Sequence, residues 1–298
     1  MTLARRARMG VLALTAVGLT AAALTVPAQA AAPAYAPGDV VTVNGIAVTA
    51  PATAGSVILN VTRVDGSQTL SVTTDDAGRV TIGDGSDAVA PAAPDAPAGG
   101  DKCDDPAYSL INGSSWPNAY SWAFRKSTTP NEMTRKAATR ELKKAVNNIS
   151  NGSNNCGLAD QIDLPNNYQG STSQPSDVTS QPACVSNPQP LNVTEFGPMG
   201  GGGILAATCT YTSGGNITNA DVRINTNFEW WEGSGSCSGS TYGLQGVQTH
   251  EYGHAVGLGH VSEATSPNLT MSTNINGPCS NFEASLGRGD VLALRDLY

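Results

Sequence analysis

All three histidines of this 298-residue chain fall within eleven consecutive residues, His250-Glu251-Tyr252-Gly253-His254-Ala255-Val256-Gly257-Leu258-Gly259-His260. On a helix, positions i and i+4 share a face, so His250 and His254 can direct imidazole nitrogens at one point. Glu251 projects about one residue's rotation away, able to meet a water held there without being a ligand itself. Gly257 can take the positive φ that lets the helix stop and the chain turn, which brings His260 back as a third ligand. Three neutral nitrogens with one tetrahedral position left for water form the pattern of a catalytic zinc site, not a closed structural one. His-Glu-x-x-His alone arises by chance on ordinary helices, and a lone histidine is usually a satisfied core or surface residue. The glycine and the third histidine at their offsets set this stretch apart.

The full pattern, His-Glu-x-x-His-x-x-Gly-x-x-His, resembles the metzincin signature. Met271, eleven residues beyond His260, stands where that clan carries its methionine turn. Residues 242–249 before the motif and 286–298 after it resemble the matrixin branch, in a bacterial form. The resemblance covers roughly residues 103–298 and is strongest from about 219 onward. Two positions depart from it. Val261 stands where vertebrate matrixins usually carry serine, and Thr273 where they carry proline. Thr273 also replaces the tyrosine that astacins and serralysins use as an extra zinc ligand.

The resemblance implies an α+β fold. A twisted mixed sheet and two main helices, one of them the active-site helix, lie above a cleft, with a small irregular C-terminal subdomain below. It implies a zinc metalloendopeptidase in which His250, His254 and His260 hold Zn2+, Glu251 is the general base, and Met271 packs beneath the histidines. Residues 274–287 would shape the specificity pocket, and the strand near residues 219–227 would be the sheet edge bordering the cleft, where an extended peptide can pair. Many relatives bind structural Ca2+, and the Asp/Asn-rich loops here are candidates without a nameable ligand set. The expected partner is a protein or peptide substrate, and the expected state a monomer.

The first thirty residues read as an address. Arg5, Arg6 and Arg8 precede an apolar run from 11 to 26, and Ala28-Gln29-Ala30 supplies a small-x-small cleavage signal. The run is short for a membrane span, so a secreted, extracellular protein without membrane insertion is expected. The formal charge is −8, and losing a leader with arginines and no acids makes it more negative. Such a chain offers no basic footprint for nucleic acid or anionic lipid.

Residues 31–86 read as a small β-rich unit, with β-branched runs punctuated by Asn44-Gly45, Asp65-Gly66 and Ala77-Gly78. A pro-segment, an accessory module that docks on a surface, and an inactive spacer are all open readings. Residues 87–100, mostly alanine, proline and glycine, form a linker open to proteolytic nicking. All six cysteines lie beyond it, in the catalytic domain at 101–298. An even count in a secreted domain implies three disulfides. Sequence cannot choose their pairing; taken in chain order they are Cys103–Cys156, Cys184–Cys209 and Cys237–Cys279. Residues 31–100 hold no cysteine, so they lack the thiol with which pro-segments of many matrixins keep the zinc latent. Cys103 lacks that switch's usual flanks and reads as a disulfide partner.

Within the catalytic domain, residues 116–125 alternate aromatics as a first strand would. Thr129-Pro130 looks like the start of a helix running to about Ile149, with Met133, Ala137, Leu142, Ala145, Val146 and Ile149 on its inner face. The basic residues opposite read as a solvated face. Residues 153–218 show weak periodicity and imply short strands joined by loops, with Gly200 to Gly203 a flexible loop. A short helix closes the chain from Gly289. Two other classes of function remain in view: an extracellular surface- or matrix-binding protein with a non-catalytic zinc domain, and zinc chemistry on a cell-wall peptide link.

Overall fold

Asn-Gly and Asp-Gly turns fold the valine- and threonine-rich start of the described chain back on itself. β1 (Val40–Val43) and β2 (Ile46–Thr49) form a hairpin in which Asn44 and Gly45 both take positive φ, as a tight two-residue turn requires. β3 (Gly55–Arg63) and β4 (Gly66–Thr74) form a second, and β5 (Val80–Gly83) returns along β4. The computed structural model describes residues 35–84 and 100–298. The leader at 1–30 and the linker, apart from Gly100, lie outside the described residues.

From Gly100 onward the elements are β6 (Tyr120–Phe124), α1 (Arg135–Ser150), β7 (Asn166–Ser171), β8 (Ala183–Cys184) and β9 (Asn192–Gly197). There follow β10 (Ile204–Ser213), β11 (Asn216–Asn225), β12 (Glu229–Trp231), β13 (Thr241–Gly243), α2 (Leu244–Ala255) and α3 (Arg288–Leu297). Eight strands make one mixed sheet in the order β5-β4-β3-β10-β11-β9-β6-β7. The half from β7 to β11 is parallel, and β10, β3, β4 and β5 are each antiparallel to their neighbours. The result is a mixed α+β architecture.

One face of the sheet carries α1 and α2. Leu142, Ala145, Val146 and Ile149 on α1 join Trp122, Phe124 and Phe196 from the strands in the larger core, while Arg135, Lys136, Arg140, Lys143 and Lys144 stay exposed. The helix starts later than Thr129-Pro130 implied. The Thr128 and Thr129 hydroxyls donate back to the carbonyls of Arg125 and Lys126, closing a short turn. Thr134 is the true cap, accepting from the Ala137 amide.

The opposite face is covered by the small sheet β1-β2-β8. Val41, Ile46 and Val48 pack there with Leu59, Val61 and Tyr211 in a second core that also holds Cys184 and Cys209. Residues 35–84 thus continue the main sheet through β3 and share a core with residues beyond 170. The strand placed at the cleft edge from sequence, residues 219–227, corresponds to β11, which lies inside the sheet between β10 and β9. β10 sends two hydroxyls, Thr208 and Thr210, to the helix bearing the histidines, and β9 sends one, Thr194.

The disulfides are Cys103–Cys156, Cys184–Cys209 and Cys237–Cys279. Among the described residues no helix is long and apolar enough to cross a membrane.

Candidate metal centre

α2 is buried at every position but Gln245, so it is a core helix held on all sides. Its N-terminal turn takes Asn281 against Gly246, whose amide donates to Asn281 Oδ1. Thr208 and Thr210 of β10 reach it from the sheet. After Ala255 the helix stops. Gly257 has φ +103°, and a Cβ there would sit 2.5 Å from the Ser114 carbonyl oxygen. Both the backbone angle and the close approach demand glycine. The chain then turns, Leu258 N–H bonds back to Gly253 O, and His260 returns to the first two histidines.

The three Nε2 atoms converge: 3.1 Å between His250 and His254, 3.0 Å between His254 and His260, and 3.2 Å between His250 and His260. The outer nitrogens are held by oxygen atoms. His250 Nδ1 lies 2.7 Å from Thr270 O, and His254 Nδ1 lies 2.8 Å from Leu258 O. A carbonyl accepts only, so each of these Nδ1 atoms carries the proton and its Nε2 presents a lone pair. His260 Nδ1 lies 3.1 Å from the Thr69 hydroxyl. Burial pushes His250 down to about 4. Burial, reinforced by the neighbouring rings, pushes His254 and His260 well below the ordinary value.

Lone pairs crowded to about 3 Å repel unless a cation lies among them. Nitrogens about 2 Å from one tetrahedral zinc stand about 3.3 Å apart, so the donor set fits Zn2+. Carbonyls on Nδ1 are the outer-shell partners that orient metal-binding imidazoles.

Glu251 is fully buried on the next helix position. Its Oε2 accepts from the Thr208 hydroxyl, while Oε1 has no hydrogen-bond partner. Burial raises the carboxyl to about 7. The Thr208 hydroxyl opposes that shift, as does Thr62, which lies nearby without a well-formed hydrogen bond.

Met271 turns beneath the helix. The backbone of Val261, one of the two departures from the matrixin pattern considered above, donates to Met271 O at 2.9 Å. The amides of Thr270 and Met271 donate to Asp290 Oδ2 and Oδ1 at 2.9 and 3.1 Å. Asp290 also accepts from Gly287 N–H at the start of α3. Sequence reasoning did not single out Asp290 or Thr208. The first had a readable signal, an acid three residues after Gly287 at a helix start. Thr208 had none, since only the pairing of β10 brings it to the helix.

Residues 192–298 match the family model of the matrixins. That span holds the three histidines, Glu251, Gly257 and Met271, and supports a matrixin-family zinc metallopeptidase. A comparison with curated proteins finds no match. The matrixin-matched part begins at β9 and includes β10 and α2, the strand and helix that form the centre.

Proposed function

We propose that the protein is a secreted zinc-dependent endopeptidase in which His250, His254 and His260 hold the metal and Glu251 is the general base. The observation that carries this reading is the convergence of three Nε2 atoms, with Glu251 on the same buried helix leaving its Oε1 without a hydrogen-bond partner. Zinc, when bound, would polarise a scissile carbonyl and acidify a water. Glu251 Oε1 takes the proton of the attacking water and returns it to the leaving amine nitrogen. Thr208 fixes the other oxygen, so the carboxylate cannot swing to another partner. The carbonyls of Thr270 and Leu258 hold two imidazoles in the tautomer that presents Nε2. Gly257 and Met271 support the site: one allows the return of His260, and the other lies under the helix.

Extracellular action is supported by the three disulfides and by the sequence of the leader. The substrate class is supported by the matrixin match and by β10, a strand running beside the centre. Hydrolysis of casein or gelatin that a zinc chelator stops, and added zinc restores, tests the reading. A zinc-loaded protein that leaves both proteins intact but cuts purified cell wall would move the chemistry to a different amide.

A further inference from the structure

Asn60 on β3 stands directly opposite Thr69 on β4 and, on its other side, opposite Thr208 on β10. Side chains alternate across a sheet. Leu59, Val61, Leu70 and Val72 face the second core, which also holds Cys184 and Cys209. Asn60, Thr69 and Thr208 therefore share the other face, the one turned to α2. This row of three meets the metal centre at two points. Thr208 donates to Glu251 Oε2, and Thr69 Oγ1 lies 3.1 Å from His260 Nδ1. Beyond Thr69, Ser67 Oγ donates to Thr273 O at 2.7 Å and ties the hairpin to the chain just past Met271.

His260 is the ligand with the least support from its own segment. His250 and His254 are fully buried on α2, and the carbonyls of Thr270 and Leu258 fix the protons on their Nδ1 atoms. His260 follows the end of the helix, and the group on its Nδ1 is a hydroxyl, which can donate or accept. Asn60 decides which. Thr69 Oγ1 donates its proton to Asn60 Oδ1 at 2.8 Å, so only its lone pairs remain for His260, and Nδ1–H is the donor. Nε2 then presents its lone pair, as on the other two rings. The reverse order fails. Asn60 Nδ2 turned to Thr69 would send the hydroxyl proton to Nδ1 and put the imidazole proton on Nε2, where it would bar a cation. The order that suits a cation leaves Asn60 Nδ2 buried without a partner among the described residues, at a cost to stability.

We propose that Thr69 is the positioning residue for His260, with Asn60 setting the direction of the Thr69 hydroxyl, so that β3 and β4 complete the metal centre. Both residues lie outside the part of the chain that matches the matrixins. The inference rests on the zinc-peptidase reading above and deepens it. Residues 35–84 then belong to the catalytic unit: their apolar face builds the second core, and their polar face holds the third ligand. Thr69 acts through His260, fixing the tautomer and the ring orientation as the Thr270 and Leu258 carbonyls do for the other two.

The test uses the full chain. Thr69→Val keeps the β-branched shape and removes the hydroxyl, while Thr69→Ser keeps the hydroxyl. Competition with a chromophoric chelator gives the zinc dissociation constant. Nitrogen–proton NMR of the imidazoles in the zinc-loaded chain, which has three histidines, reports the proton on each Nδ1. Thr69→Val is expected to weaken zinc binding about 10–100-fold and to lose the His260 Nδ1–H signal to solvent exchange. The urea midpoint of its metal-free form should stay at the wild-type value. Thr69→Ser should restore both readings. Asn60→Leu carries the test if Thr69→Val does not fold. It removes the unpaired amide, so the metal-free chain should be no less stable. Zinc should nevertheless bind it more weakly, because the Thr69 hydroxyl is then free to turn its proton toward Nδ1. Wild-type zinc affinity with an unchanged His260 signal in Thr69→Val, or in Asn60→Leu where Thr69→Val is unfolded, overturns the proposal. So does a loss that Thr69→Ser fails to repair, which assigns Thr69 to packing. Unchanged affinity together with chelator-sensitive hydrolysis sinks the positioning role and leaves the peptidase standing. Weakened zinc binding in Thr69→Val, repaired by Thr69→Ser, in a protein whose wild type hydrolyses no peptide keeps the positioning role and sinks the peptidase.

Discussion

A Cβ on Gly253 would lie 2.3 Å from the sulfur of Met271. The glycine between the first two histidines thus makes room for the methionine that lies beneath them. In an exposed helix interior, Gly→Ala stabilises by about 1 kcal/mol. Gly253→Ala should reverse that sign and destabilise by about 1–3 kcal/mol, because the added methyl must displace Met271 or lift α2. Urea unfolding of the zinc-loaded chain measures it. A stabilised Gly253→Ala would show that the two residues do not press on each other.

Thr208 holds one oxygen of Glu251 and leaves the other free. Thr208→Val keeps the shape and removes the hydroxyl. It should lower kcat about tenfold or more with KM little changed, since it disturbs a group that moves a proton rather than one that binds substrate. Thr208→Ser should restore most of the rate. A change confined to KM would assign Thr208 to binding.

The convergence of His250, His254 and His260 was legible in the sequence because they lie within one helix and one turn, so local spacing alone places them. The surroundings were less so. β10 reads as a weak stretch, Ile204-Leu205-Ala206-Ala207-Thr208-Cys209-Thr210, because both of its faces are buried and no apolar-polar alternation survives. β11 alternated clearly and drew the edge assignment, although it sits inside the sheet. Thr129-Pro130 carried the stronger helix-start signal, but Thr134 won because the hydroxyls of Thr128 and Thr129 were already spent on a preceding turn. The contact between Thr69 and His260, 191 residues apart, depends on strand pairing that no local pattern encodes.

Asp177 supplies a pH dependence away from the metal. Burial raises its carboxyl to about 6, against the Gln189 amide, which lowers it. The native state therefore binds a proton that the unfolded state has lost between about pH 4 and 6, and stability contributed by this group falls as pH rises through that window. Asp177→Asn keeps an acceptor for the amide and removes the charge. The variant should gain on the wild type by about 1 kcal/mol or more between pH 4 and 6.5, read as the difference in urea midpoints. A constant difference across that range would contradict the assignment.

Cys237–Cys279 ties the segment before α2 to the loop after Met271, with a sequence separation of 42. Closing a loop of that length restricts the unfolded chain by about 4 kcal/mol. The double variant Cys237→Ala/Cys279→Ala should lose about 2–4 kcal/mol, and zinc should leave it faster because the turn beneath the histidines is less restrained. Zinc release at the wild-type rate would confine the bridge to global stability.

The measurement that bears most directly on the central claim is Glu251→Gln, assayed together for zinc content and for hydrolysis of a peptide substrate. The account predicts about one zinc per chain, as in the wild type, with turnover reduced by several orders of magnitude, because the three histidines are intact and the proton acceptor is gone. Wild-type turnover in Glu251→Gln, or a wild-type chain that hydrolyses peptides without metal, would contradict it.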